Sequence, residues 1–199
     1  MSQSPESIIE RDTALCAAMA DELKEYLKSD TLFWEPSRRQ PGGLALPKLT
    51  IGGFLLAVRR LETLKDHLDL NQRDVLTRAE HELARQRSQW QRRYQNKLAR
   101  ELRSRQDAWA WYLDDVRQQG EPAIAHYAHQ VETRVKADLL LEELRNIGSD
   151  VDASFTRQAG LDQRLGGAFT VGEFCWIEEL AAGFPPDRFW YLYGSPRED

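Results

Sequence analysis

The sequence predicts an all-α protein: an elongated bundle of about five helices, with one long central helix and an irregular aromatic strap at the C-terminal end. Three observations predict it. Apolar residues recur at intervals of three, four and seven along most of the 199-residue chain. The stretch from Asn71 to Gln119 contains neither Pro nor Gly. Beyond Ala168 the periodicity stops and aromatic residues crowd together. Residues 1–199 are expected to form a single helical domain, large enough to bury a core without disulfides or metals.

The first helix is expected to start at Ser4, a good capping residue, with Pro5 in its first turn. Ile8, Leu15, Ala18 or Met19, Leu23, and Tyr26 or Leu27 supply its buried stripe, and it ends near Ser29. From Thr31 to Lys48, Pro36, Pro41, Gly42, Gly43 and Pro47 mark a loop. Leu32, Phe33 and Trp34 are expected to pin that loop to the core. Thr50 can cap a second helix whose apolar stripe reads Phe54, Leu55, Val58, Leu61 and Leu64.

From Asn71 to Gln119 the apolar positions Leu76, Ala79, Leu83, Trp90, Tyr94, Leu98, Leu102, Trp109, Tyr112 or Leu113, and Val116 lie on one helix face. A continuous helix there runs about 70 Å at ~1.5 Å per residue. One globular core does not cover both ends of such a rod, so it bends, pairs with another chain or protrudes. Gly120-Glu121-Pro122 stops it. A further helix spans about Tyr127 to Asn146, with Val131, Val135, Leu139, Leu140 and Leu144 inward and Gly148 at its end. Asp150 or Asp152 can cap a shorter helix that breaks at Gly166-Gly167.

Charge is uneven. The chain is acidic overall, with net charge −5. Arg73 to Arg105 holds ten basic and four acidic residues, while Asp114 to Asp199 holds eight basic and sixteen acidic. Arg85, Arg92, Arg93, Lys97, Arg100 and Arg103 form a candidate basic interaction face. Such a run is read as a solvated helix face, as a dock for acidic protein surface, or as a phosphate-binding face with Trp90 and Tyr94 stacking on bases. The acidic remainder would repel a polyanion.

Motifs exclude several chemistries. No G-x-S-x-G elbow, no G-x-x-x-x-G-K-[ST] and no G-x-G-x-x-G occurs. His81-Glu82 opens like a zincin helix, but Arg85 stands where the second His is required. His126, His129 and Glu132 could share one helix face, yet three such side chains at a helix start are an ordinary surface turn before they are a zinc site. The carboxylate doublets Asp114-Asp115, Glu142-Glu143 and Glu178-Glu179 read as surface, since adjacent helical residues diverge. No catalytic, cofactor-binding or metal residue is assigned, and no cofactor is expected. Cys16 and Cys175 are too far apart in sequence to suggest a metal pair, and read as packing thiols. With no secretory pattern at Met1 and no long apolar run, the expected location is the cytoplasm and no membrane partner is expected.

The string Asp187-Arg188-Phe189-Trp190-Tyr191-Leu192-Tyr193-Gly194 is the most specific in the chain. Phe189, Trp190, Tyr191 and Tyr193 either cap the hydrophobic core or form an aromatic contact segment for a partner. Leu27-Lys28-Ser29-Asp30, Leu32-Phe33-Trp34, Leu49-Thr50-Ile51-Gly52-Gly53, Trp109, Phe184-Pro185 and Trp190-Tyr191-Leu192-Tyr193-Gly194 together resemble a bacterial family of helical proteins to which no activity is attached. The resemblance implies one domain spanning the chain and transfers no catalytic residue.

The expected function is a non-enzymatic scaffold or protein–protein interaction protein that self-associates through the long helix. Nucleic-acid association through the basic face of residues 73–105 is the alternative. An enzyme with an unrecognised site is a further one.

Overall fold

The computed structural model describes residues 4–39, 43 and 45–197. The turn residues Pro41 and Gly42 of the predicted loop lie outside them. The fold is all-α apart from one small sheet: seven α-helices, one of them a single turn, and two β-strands form among the described residues. The chain divides into two compact units, residues 1–101 and 102–199.

The first unit begins with α1, Pro5–Lys28. Ser4 and Ser7 cap it reciprocally: each backbone N–H donates to the other's hydroxyl, at 3.2 and 3.3 Å. Ile8, Leu15, Met19, Leu23 and Tyr26 are buried as the spacing predicts. So is Asp12, which accepts from Arg11 Nε at 2.8 Å and faces Arg60 Nη1 at 3.8 Å. α2, Ile51–Thr63, is capped by Thr50, whose hydroxyl accepts from Gly53 N at 3.0 Å. Its buried stripe is Ile51, Phe54, Leu56, Ala57 and Leu61; Leu55 and Val58 are only half-buried. α3, Leu70–Gln89, opens on a capping box between Asp69 and Gln72. It packs along α1, with Arg78 Nη2 2.5 Å from Asp21 Oδ1. In the intervening loop, Trp34 and Leu49 exchange backbone hydrogen bonds at 3.1 and 2.8 Å. Glu22 holds Trp34 Nε1 at 2.7 Å and the Ser37 hydroxyl at 2.7 Å. Leu32 and Trp34 are half-buried, but Phe33 is exposed rather than pinned to the core.

The single long central helix is corrected to two. α3 ends at Gln89, and α4 runs Gln91–Gln119. Trp90 leaves helical geometry at φ −121°, ψ 36°, although its N–H still donates to Gln86 O at 2.8 Å. No Pro or Gly causes this break. It coincides with contacts to the end of α1: Arg93 Nη1 donates to Lys28 O at 2.7 Å, and Lys28 Nζ lies 5.7 Å from the Trp90 ring. Tertiary packing overrides helix propensity there.

The second unit starts within α4, at Leu102. Gly120, at φ 62°, ends α4, and the single turn α5, Glu121–Ile124, follows. α6, Tyr127–Asn146, buries Val131, Val135, Leu139, Leu140 and Leu144 as predicted. α7, Asp152–Gly167, runs alongside α4: Gln106 Nε2 donates to Ser154 O at 2.8 Å, and Arg157 Nη2 reaches Asp107 at 2.5 Å. The tail is less irregular than expected. β1, Phe169–Phe174, pairs antiparallel with β2, Tyr193–Pro196, with an irregularity between Val171 and Phe174. The ladder brings Phe169, Phe174 and Tyr193 into one aromatic cluster with Tyr127, Trp176, Phe184, Phe189, Trp190 and Tyr191.

Candidate functional site

The six residues of the basic face divide by what they touch. Arg85 is paired with Glu82 one helical turn back, at 2.6 Å. Arg93, Lys97 and Arg100 turn toward the C-terminal end of α1. Arg93 donates to Lys28 O at 2.7 Å, Arg100 Nη2 to Asp30 O at 3.1 Å, and Lys97 Nζ to Thr31 O. Arg93 thus meets a terminal carbonyl of α1, and Lys97 and Arg100 meet carbonyls of the segment just beyond it. Lys97 is nearly inaccessible, with its ammonium 4.2 Å from the Tyr26 ring centre. Burial, helped by the nearby Arg100 charge, pushes it down to about 8. Arg92 and Arg103 are exposed on α4, Arg103 within the second unit.

In the aromatic segment, Phe189 and Tyr191 are fully buried, and Trp190 and Tyr193 half-buried. Two ties hold it. Tyr127 Oη donates to Tyr191 O at 2.5 Å. Arg188, next to Phe189, grips α6 through Asp138 at 2.8 Å and Glu142 at 2.9 and 3.0 Å. Glu142 is therefore engaged, and its neighbour Glu143 is buried, unlike the surface doublet expected. Burial also raises both thiols, Cys175 to about 12 and Cys16 well above its ordinary value, which keeps them protonated at neutral pH. His126 and His129 are exposed, and Glu132 accepts from Lys136 at 3.0 Å. Among the described residues, no three His, Cys, Asp or Glu side chains form a metal-holding group. None of the described helices is long and apolar enough to cross a membrane.

The face that sequence reasoning missed is the outer side of α4 and α7. Trp111 on α4 is 71% exposed. Helical spacing places it between Asp107 and Asp114. Both aspartates are ion-paired across to α7, Asp107 with Arg157 at 2.5 Å and Asp114 with Arg164 at 2.6 Å. At the same level, α7 presents Gly160, where an added Cβ would meet nothing within 4 Å. A large indole therefore stands in water, rimmed by two ion pairs and opposite an open backbone. The signal was present in Trp109-Ala110-Trp111: residues two apart on a helix are about 200° apart around the axis, so only one of the two can face the core. Trp109 does so and is fully buried.

Comparison of the chain with protein-family models, curated proteins and solved structures finds no match.

Proposed function

We propose that the protein is a non-enzymatic, self-associating interaction protein in which two copies meet through the outer face of α4 and α7. The exposure of Trp111 between two ion pairs carries this reading. An aromatic anchor inside a charged rim is the usual make-up of an interaction hot spot. The face is also complementary to itself. A two-fold axis along the helices sets α4 of one copy against α7 of its partner. Asp107 and Asp114 then oppose arginines, and Trp111 opposes the space at Gly160. An axis across the helices would set aspartate on aspartate, which like-charge repulsion disfavours.

Helix length does not support self-association, because α3 and α4 are separate helices. The nucleic-acid reading is weaker for a related reason. Arg93, Lys97 and Arg100 are already engaged with the end of α1, which leaves chiefly Arg92 and Arg103 for phosphates.

Light scattering on a size-exclusion column tests the proposal. A particle of twice the 23.0 kDa chain mass is expected, and Trp111→Ala should reduce it to the single chain. Arg157→Asp should do the same, and adding Asp107→Arg should restore the larger particle, because the swap preserves complementarity. A single-chain mass at every concentration overturns the reading.

A further inference from the structure

The second unit also contains a pocket of about 500 Å³ that shares only Arg164 with the α4–α7 face. Its apolar part is formed by Leu113, Val116, Leu165 and Pro196, and among the described residues its lining includes three arginines and no carboxylate. That composition runs against its surroundings: residues 102–199 hold ten basic and seventeen acidic residues. The arginines come from three elements. Arg117 lies in the last turn of α4, Arg164 in the last turn of α7, and Arg197 just past β2, where its backbone N–H is fixed to Ala168 O at 2.8 Å.

A purely structural explanation accounts for part of this. A cation in the last turn of a helix offsets the partial negative charge of its terminal carbonyls, and Arg117 and Arg164 are so placed. Arg197 belongs to neither helix, and that role does not require it. Arg164 has a carboxylate partner, Asp114 at 2.6 Å. Among the described residues, Arg117 and Arg197 have none. Two unpaired guanidinium groups on an apolar concavity are the elements of an anion site with room for a body attached to the anion. The guanidinium fork matches the paired oxygens of a carboxylate or phosphate. The volume falls in the range of small-molecule sites.

We propose that this pocket binds a small organic anion, an aromatic or aliphatic group bearing one phosphate or carboxylate. Arg117 and Arg197 clamp the anion, and Leu113, Val116 and Leu165 receive the apolar body. The site does not depend on self-association, and binding is expected unchanged in Trp111→Ala.

Isothermal titration at low salt with phenyl phosphate, benzoate, inorganic phosphate and phenol tests the site. One of the two aryl anions should bind saturably with one site per chain, and the better of the two identifies the anion. Phenol should not bind, and inorganic phosphate should bind at least about tenfold more weakly. The double variant Arg117→Gln, Arg197→Gln should weaken binding about tenfold or more while leaving the thermal midpoint near that of the parent, since both side chains are exposed. Absence of binding by either aryl anion at millimolar concentration overturns the proposal, as does binding undiminished in the double variant. Equal binding of phenyl phosphate and inorganic phosphate overturns the role of the apolar wall.

Discussion

Arg134 holds Asp162 in a two-pronged pair, with Nε 2.7 Å from Oδ1 and Nη2 2.8 Å from Oδ2. The pair joins α6 to α7 and anchors a longer chain of charges. Arg134 Nη1 lies 3.5 Å from Asp138, and Asp138 in turn accepts from Arg188 at 2.8 Å. The Arg134 guanidinium also sits 4.4 Å from the ring centre of buried Tyr191. The aromatic segment is thereby fixed by charge as well as by packing. Asp162→Asn should cost about 2–4 kcal/mol, because the Arg134 side chain is only 5% exposed and would be left short of counter-charge. Replacing both residues by apolar ones of similar size should cost less than the single change. Urea unfolding measures both, and a loss below about 0.5 kcal/mol for Asp162→Asn would show that the pair is not structural.

Gly194 has φ 144°, and a Cβ built there would lie 2.1 Å from Thr170 O and 2.8 Å from the Phe169 ring. Neither neighbour can yield cheaply, because one is backbone in the paired strand and the other sits in the aromatic cluster. Gly194→Ala should therefore destabilise the second unit by more than about 2 kcal/mol and disturb the β1–β2 pairing. Near-ultraviolet circular dichroism should lose aromatic signal in this variant; an unchanged spectrum and midpoint would contradict the strain argument.

The helices were legible because their signals are local. Ser4 with Pro5, Thr50, Gly120 and Gly148 mark ends that backbone chemistry dictates, and the 3.6-residue stripe fixed the inner face of α6. The break at Trp90 was not legible, because no residue there disfavours a helix and the break coincides only with contacts to the end of α1. Pairing of β1 with β2 was hidden for a similar reason. Its partners Val171 and Gly194 are far apart in sequence, and a dense run of aromatics carries no clean two-residue alternation. The charge run from Arg73 was visible, but not that Arg93, Lys97 and Arg100 would bond the end of α1 and the segment just beyond it. Trp111 lies off the apolar stripe, which runs through Trp109. The arginines at 117, 164 and 197 have no pattern in sequence; only the fold brings them to one pocket.

Glu80 on α3 is held above the ordinary carboxyl value of 4.5, first by burial and then by the charge and hydrogen bond of Glu62. A raised carboxyl keeps its proton longer in the folded chain than in the unfolded one. Stability is therefore lost as pH rises above 4.5 through the raised value. Glu80→Gln should raise stability at pH 7 by a few tenths of a kcal/mol after solvent screening, and the gain should vanish near pH 4. Thermal midpoints at the two pH values check this. A gain that is equal at both would place its origin in something other than the shared proton.

Lys97 gives the opposite sign. Its folded value is about 8 against an ordinary 10.5, so between those limits the unfolded chain binds more protons. The unfolding free energy of the parent should then rise with pH relative to Lys97→Met, by up to about 1.4 kcal/mol per pH unit between pH 8 and 10. Urea midpoints for the two proteins across that range measure the difference. Arg93→Ala and Arg100→Ala remove cations from the same end of α1 without removing a buried one. Each should cost about 0.5–1 kcal/mol, with weak pH dependence and with part of the loss masked at high salt. A parent-minus-variant difference for Lys97→Met that stays flat from pH 8 to 10 would mean that the ammonium remains charged in the fold. Its bonds to Thr31 and Ser29 would then outweigh its desolvation.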